Sequence, residues 1–252
     1  MDRRQMIAGS LATAAALAVP RAFAAGTPAR NVVLVHGLYA DASCWADVIA
    51  RLQTAGKTVT AVQNPLTSLA DSVAETRRVL ARQDGPTVLV GHSFGGTVIS
   101  EAGVAPNVAS LVFVAARAPD AGEDYAALAA KYPAGPASAG LIWDGDQGRL
   151  SEEAFLRDFA GDVPRAKARV LYATQQAFTR SLTTTKTTEA AWRSKPNYYA
   201  VSALDRTINP DLERFMAKRI GADTITLQSS HVSMISHPAE ITALILKATR
   251  GR

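Results

Sequence analysis

Short β-branched runs alternate with stretches of helical periodicity along most of the chain. Asn31 to His36 reads Asn-Val-Val-Leu-Val-His, a run suited to a strand buried on both faces of a sheet. A helical pattern follows from about Ser43 to Ala55 and stops at Gly56, the residue type that best tolerates the left-handed turn closing a helix. Lys57 to Gln63 predicts a second strand. Ser68 offers an N-cap, with Asp71 in the first turn, to a helix that runs to about Gln83. Thr87 to Val90 reads as a third strand, Phe94 to Gly103 as a helix, and Leu111 to Ala115 as a fourth strand.

Such alternation predicts parallel βαβ units with right-handed crossovers. It lapses between about Arg117 and Lys195. This stretch carries Pro133, Gly135 and Pro136, then two helical segments, one capped by Ser151 and one beginning near Pro164, and a Thr-rich piece from Thr183 to Thr188. The strand pattern resumes at Asn197 to Ser202. A helix with Asn209 as N-cap and Pro210 in its first turn follows and ends at Gly221. Thr224 to Leu227 is the last predicted strand, and a helix begins at Pro238. The expected architecture is a mostly parallel sheet flanked by helices, with residues 117–195 inserted as a helical lid over one end. That stretch is too short to build a core of its own as a separate domain.

Composition narrows the class without choosing the chemistry. The 252 residues, 48% hydrophobic and 19% charged, suffice for one core-forming domain. The net charge is +5, but residues 1–24 hold Arg3, Arg4 and Arg21 against Asp2 and account for two of those charges. Elsewhere basic and acidic residues interleave, as in Glu213, Arg214, Lys218 and Arg219, which reads as a solvated helix face and not as a nucleic-acid patch.

The first 24 residues have the form of an export signal. Arg3 and Arg4 precede an apolar stretch from Met6 to Val19 that is too short to span a bilayer, and Ala22-Phe23-Ala24 offers a cleavage pattern. The paired arginines and Ala-rich core are those of a twin-arginine signal, so residues 25–252 are expected to be exported folded, to the periplasm or beyond. Cys44, the single cysteine, allows no internal disulfide, which suits a domain that folds before export. No membrane association is expected once the signal is removed, and nothing in the patterning sets an oligomeric state.

The candidate chemistry sits at strand ends. Gly91-His92-Ser93-Phe94-Gly95 lies between the third strand and its helix, where a sharp turn lifts a serine hydroxyl clear of the backbone and glycines leave room for the turn. The new helix also aims free N–H groups at charge developing beside Ser93. His36-Gly37 ends the first strand, and the backbone N–H groups of Leu38 and Phe94 are the expected oxyanion donors. Of the four histidines, His231 follows the last strand, on the edge where Ser93 emerges. That makes it the expected base, and His36 is expected to organise its loop. Asp205, just after the strand ending at Ser202, completes the order Ser93, Asp205, His231 as the acid; Asp120, after the preceding strand, is its rival. Tyr39, Cys44, Trp45, Phe94, Trp143 and Met234 are candidates to line a substrate pocket, and each is equally suited to plain core packing.

Taken together, Val-Leu-Val-His-Gly with Trp45 downstream, Gly-His-Ser-Phe-Gly-Gly, Asp205-Arg206-Thr207-Ile208-Asn209-Pro210 and Ser230-His231-Val232-Ser233-Met234 resemble the α/β-hydrolase superfamily after residue 30. The resemblance is closest to small bacterial hydrolases related to plant methyl-ester esterases and hydroxynitrile lyases. It implies a mechanism with no cofactor and no metal, a helical lid, and small-molecule esters as substrates. The lyases carry a Thr where Gly37 stands and a Lys where Val232 stands, so the resemblance implies esterase rather than lyase chemistry. Two other functions remain open at this point. One is the peracid-forming chemistry of cofactor-free haloperoxidase-like relatives; the other is a non-enzymatic binding role on the same scaffold.

Overall fold

Successive residues of a strand face opposite sides of its sheet, so a strand apolar at every position requires cover on both sides. Asn31–Val35 (β1) meets that demand: all five residues are buried, Val33 and Val35 in the core on one face, Val32 and Leu34 in the core on the other. The computed structural model of this chain describes residues 28–250, so the expected signal at 1–24 lies outside the described residues.

After β1, a 3-10 turn at Ala42–Trp45 leads into α1 (Ala46–Thr54). Then come β2 (Thr58–Val62), α2 (Leu69–Leu80), β3 (Thr87–His92), α3 (Gly95–Ala102) and β4 (Val108–Val114). Ser68 caps α2 as its sequence position predicts, its hydroxyl accepting from Asp71 N at 3.0 Å. The intervening segment holds α4 (Tyr125–Ala129), β5 (Leu141–Asp144), β6 (Gln147–Leu150) and α5 (Glu152–Ala154). A π-helical turn extends α5 through Phe159, and α6 (Arg165–Ala173) and β7 (Phe178–Thr179) follow. The chain then closes with β8 (Asn197–Ser202), α7 (Pro210–Arg219), β9 (Asp223–Leu227), α8 (Ser233–Ser236) and α9 (Pro238–Ala248).

Six strands form one parallel sheet in the order β2-β1-β3-β4-β8-β9. Helices α2, α3 and α7 cover one face through Val73, Val98 and Leu212, while α1 and α9 cover the other through Leu52 and Ile245. The chain leaves β1 toward β2 on one side and returns to β3 on the other. The carboxyl ends of β1 and β3 therefore flank a crevice, the usual ligand position in open α/β sheets.

The expectation of a helical insertion needs correction. Residues 117–195 hold a three-stranded antiparallel sheet, β5-β6-β7, beside their short helices. The hairpin turns between Asp144 and Gln147 through Gly145-Asp146, a two-residue loop of the kind that favours Gly. That turn signal was present in the sequence, but strands this short carry too little alternation to be read.

Candidate active site

The turn after β3 is tight. Ser93 has φ 53°, a left-handed conformation that costs a non-glycine residue about 1–3 kcal/mol. The surroundings enforce it: Ser93 N donates to Val114 O at 3.1 Å, and Ser93 O accepts from Gly96 N and Arg117 N, each at 3.0 Å. A β-carbon at Gly91 would lie 2.6 Å from Gly95 O, and one at Gly95 would lie 2.5 Å from Val35 O. Both glycines are therefore steric requirements of the turn.

The β1 loop presses on this turn from the other side. A β-carbon on Gly37 would lie 2.6 Å from Ser93 Cβ and 3.1 Å from Phe94 N. Such close approach sets the N–H groups of Leu38 and Phe94 beside the serine, and neither donates to a protein acceptor among the described residues. They are the candidate donors for an oxyanion. His36 holds the loop in place. Its Nδ1–H donates to Gly37 O at 2.9 Å and its Nε2 accepts from Asn64 N at 3.0 Å, which fixes the neutral tautomer. Burial pushes the His36 pKa down in the same direction. Asn64, buried at the end of β2, also donates to His36 O at 3.1 Å.

His231 and Asp205 meet from the loops after β9 and β8. His231 Nδ1 lies 2.5 Å from Asp205 Oδ2, and both side chains are fully buried. Asp205 Oδ1 accepts from Thr207 N at 2.6 Å and Ile208 N at 3.0 Å, so this carboxylate cannot swing away. His231 Nε2 is buried and has no hydrogen-bond partner among the described residues. That nitrogen is the one left to act as base. His92 supports the same loop, its ring 4.7 Å from that of His231 and its Nε2 3.0 Å from His231 O. Asp120 has no part in this cluster. It pairs with Arg193 and caps its own loop.

A second carboxyl lies behind the acid. Glu213 on α7 is fully buried, and its Oε2 accepts from Ser202 N at 3.0 Å. Burial, followed by the neighbouring Asp205 charge, drives its pKa well above the ordinary carboxylate value. Both effects favour the neutral carboxyl form of Glu213 beside Asp205.

The insertion braces both loops from outside. Arg206, next to the acid, turns away from it and pairs with buried Asp158 at 2.7 Å. Asp162 accepts from Ser230 N at 3.0 Å and from Ser230 Oγ at 2.5 Å, directly before His231. Neither contact was foreseen, because each joins residues dozens of positions apart through a single side chain.

Ser93 opens into a cleft of about 170 Å³ between the sheet edge and the insertion. Of the pocket candidates Tyr39 lines it, together with Leu38, Arg117, Tyr125, Pro133, Thr207 and Leu212. The other pocket candidates lie elsewhere. Trp45 and Met234 are fully buried in the core beneath α1 and α9, and Phe94 turns its ring into the core on the opposite face. Cys44 lies at a separate small crevice with Phe155 and Phe159, where burial raises its thiol pKa well above the usual range. Trp143 packs against Phe178 at 5.4 Å, with the Arg180 guanidinium 3.7 Å above its ring. Bulk and aromaticity suggested these residues, but bulky side chains fill cores more often than pockets. The signal for Arg117 was its place at the carboxyl end of β4.

Comparison with known proteins bears on the same features. The chain is 28% identical to Methylesterase 7 of Arabidopsis thaliana over 257 aligned positions, covering 86% of this chain and 95% of that one. It is 26% identical to Norfluorocurarine synthase 2 of a Strychnos species, covering 88% and 96%. The fold superposes on that of polyneuridine aldehyde esterase with a TM-score of 0.75 at 20% identity, across 87% of this chain and 98% of the other. A profile of the alpha/beta hydrolase family matches residues 32–244, from β1 through Ser93, Asp205 and His231 into α9. With the parallel sheet and the serine turn between β3 and α3, that match makes this chain a member of the alpha/beta hydrolase family.

Proposed function

We propose that the protein hydrolyses small carboxylic esters through an acyl-enzyme on Ser93. One observation carries this reading. A serine held at positive φ lies against a loop with two unengaged N–H groups, and the buried His231–Asp205 pair, packed at 4.7 Å on the ring of His92 next to that serine, keeps a free imidazole nitrogen. The similarity to a methylesterase over most of both chains supports it.

The ester carbonyl carbon takes the Ser93 oxygen as His231 Nε2 accepts the hydroxyl proton. Asp205 stabilises the imidazolium and keeps Nδ1 protonated. The tetrahedral oxyanion lies against Leu38 and Phe94 N–H, which need no reorganisation. The proton on His231 passes to the departing alcohol, and water then cleaves the acyl-serine by the same route.

Ser93→Ala leaves only the oxyanion cradle and binding. It is expected to lower ester turnover on the order of 10⁴-fold or more in a folded protein. A fluorophosphonate probe should label wild type at Ser93 and fail on the variant. Near-normal turnover by folded Ser93→Ala protein would refute the serine mechanism. Lyase chemistry is disfavoured because Gly37 offers no hydroxyl and Val232 no charge to released cyanide. Mandelonitrile should yield negligible cyanide while a small aryl or methyl ester turns over, and the reverse ranking overturns the assignment. Residues 1–24 we read as a twin-arginine export signal; replacing both Arg3 and Arg4 by Lys should trap the full chain in the cytoplasm, as followed by cell fractionation.

A further inference from the structure

Arg117 stands out in the cleft. Among the described residues it is the one charged side chain lining the space beside Ser93. Its backbone N–H donates to Ser93 O at 3.0 Å, so its position is tied to that of the serine. Its guanidinium lies 4.6 Å from the centre of the Tyr125 ring and 5.6 Å from that of Phe94. Those rings hold the cation in place without neutralising it.

Its charge is left unmatched. No carboxylate pairs with Arg117 among the described residues, although twelve ion pairs involve other groups. Of its five N–H donors, one reaches Leu182 O at a long 3.3 Å, and Nε is buried with no acceptor. An arginine in a partly desolvated cleft with spare donors fits a planar anion, because its fork matches a carboxylate with two parallel hydrogen bonds. Asp205, on the loop that contributes Thr207 and Ile208 to the cleft, is already occupied by His231 and two backbone donors.

We propose that Arg117 forms a carboxylate subsite, and that the preferred substrates are small esters bearing a second, free carboxylate. This inference rests on the ester-hydrolase reading and names its substrate class. The cleft volume of about 170 Å³ matches a short chain, since an apolar cavity of about 150 Å³ holds a benzene molecule. The carboxylate takes no part in bond making. The acyl C–O bond to the alcohol breaks, water supplies the new oxygen, and Arg117 only positions the ester carbonyl against Ser93.

The carboxylate can belong to the acyl half, as in monomethyl adipate, or to the alcohol half, as in 4-acetoxybutanoate. Each is compared with its uncharged amide counterpart by kcat/KM at neutral pH. Wild type should prefer the anion tenfold or more in one arm, and that arm identifies the half that carries the charge. Arg117→Gln should bring the anion-to-amide ratio close to one, and Arg117→Lys should retain part of the preference. The ratio is internal to each protein, so a partial loss of folded enzyme leaves it unaffected. If Arg117→Gln does not fold, Arg117→Met serves in its place. A wild-type ratio near one in both arms, or a ratio unmoved by loss of the charge, overturns the proposal. Should wild type cleave none of the four, the ester-hydrolase reading fails, and calorimetric titration with hexanoate and hexanamide reads the subsite alone. Hexanoate preference that disappears in the charge-free variant then sustains the anion site, and equal binding removes it.

Discussion

The sheet and the insertion build one cleft by different means. On the sheet side, β1 and β3 end in loops whose backbone is fixed by steric contact: Gly37 against Ser93, Gly95 against Val35. These contacts leave almost no slack, so the groups that would do chemistry are placed by backbone. On the insertion side, residues 117–195 reach the same loops through side chains, Asp158 on Arg206 and Asp162 on Ser230. Backbone placement resists substitution of its neighbours, whereas placement through one side chain is lost with that side chain. Catalytic geometry should therefore depend steeply on the sheet-side loops and more gently on the insertion.

The sharpest test of that contrast compares two aspartates. In Asp205→Asn, the amide oxygen can keep the Thr207 and Ile208 N–H bonds, which turns its NH₂ toward His231 Nδ1 and forces the proton onto Nε2. The base is then blocked, and ester kcat should fall about 10³- to 10⁴-fold. Asp120→Asn loosens only an exposed pair with Arg193 and should change kcat less than about threefold. A larger loss at Asp120 would move the acid and undo the comparison.

Gly37→Ala should come next. Its new methyl group must displace Ser93 Cβ or the Phe94 amide, so kcat should drop about 100-fold through the oxyanion cradle. Overpacking should also lower stability by roughly 1–3 kcal/mol, measured by denaturant unfolding. Smaller still is Asp162→Ala, which frees Ser230 N and Oγ beside the base. A fall of about tenfold in kcat, with the KM for a small ester changed less, would mark loosening of His231 and not loss of the cleft. No change in kcat would mean that the insertion does not steady the base.

The smallest effect concerns pH. Burial favours the neutral form of Glu213 in the folded protein, whereas the unfolded carboxyl ionises around its ordinary value of 4.5. Its folded pKa is raised, so its contribution to stability is complete below about 4.5 and declines as pH rises toward the raised value. Glu213→Gln does not titrate and keeps an acceptor for Ser202 N. Relative to wild type it should gain on the order of 1 kcal/mol between mildly acidic and mildly basic pH, seen as a converging or crossing pair of Tm–pH curves.

How much of this could be read in advance follows the same division. The elbow was legible because Gly91, Ser93 and Gly95 act on one another across a few residues, and the requirement for small neighbours is written at fixed spacing. His231 was singled out by position, as the histidine of the loop after the last strand, and the structure pairs it with Asp205. Asp205 stood out over Asp120 by chain order, and the structure brings only Asp205 to His231. The pocket list fared worse: of six candidates only Tyr39 lines the cleft, since Trp45 and Met234 are large apolar residues that the core took.

The sequence by itself determined the strand–helix alternation, the caps at Ser68 and Asn209, and the positions of Ser93, Asp205 and His231 after their strands. Each of these is enforced by local sterics, local hydrogen bonds or the two-sided burial of a strand, so a short window carries the whole signal. Only the tertiary structure decided that the insertion contains a sheet, that Asp158 and Asp162 brace the loops of Asp205 and His231, and that Arg117 lines the cleft with no carboxylate partner among the described residues. Those features depend on which side chains meet after distant segments have packed, and no local periodicity records such a meeting.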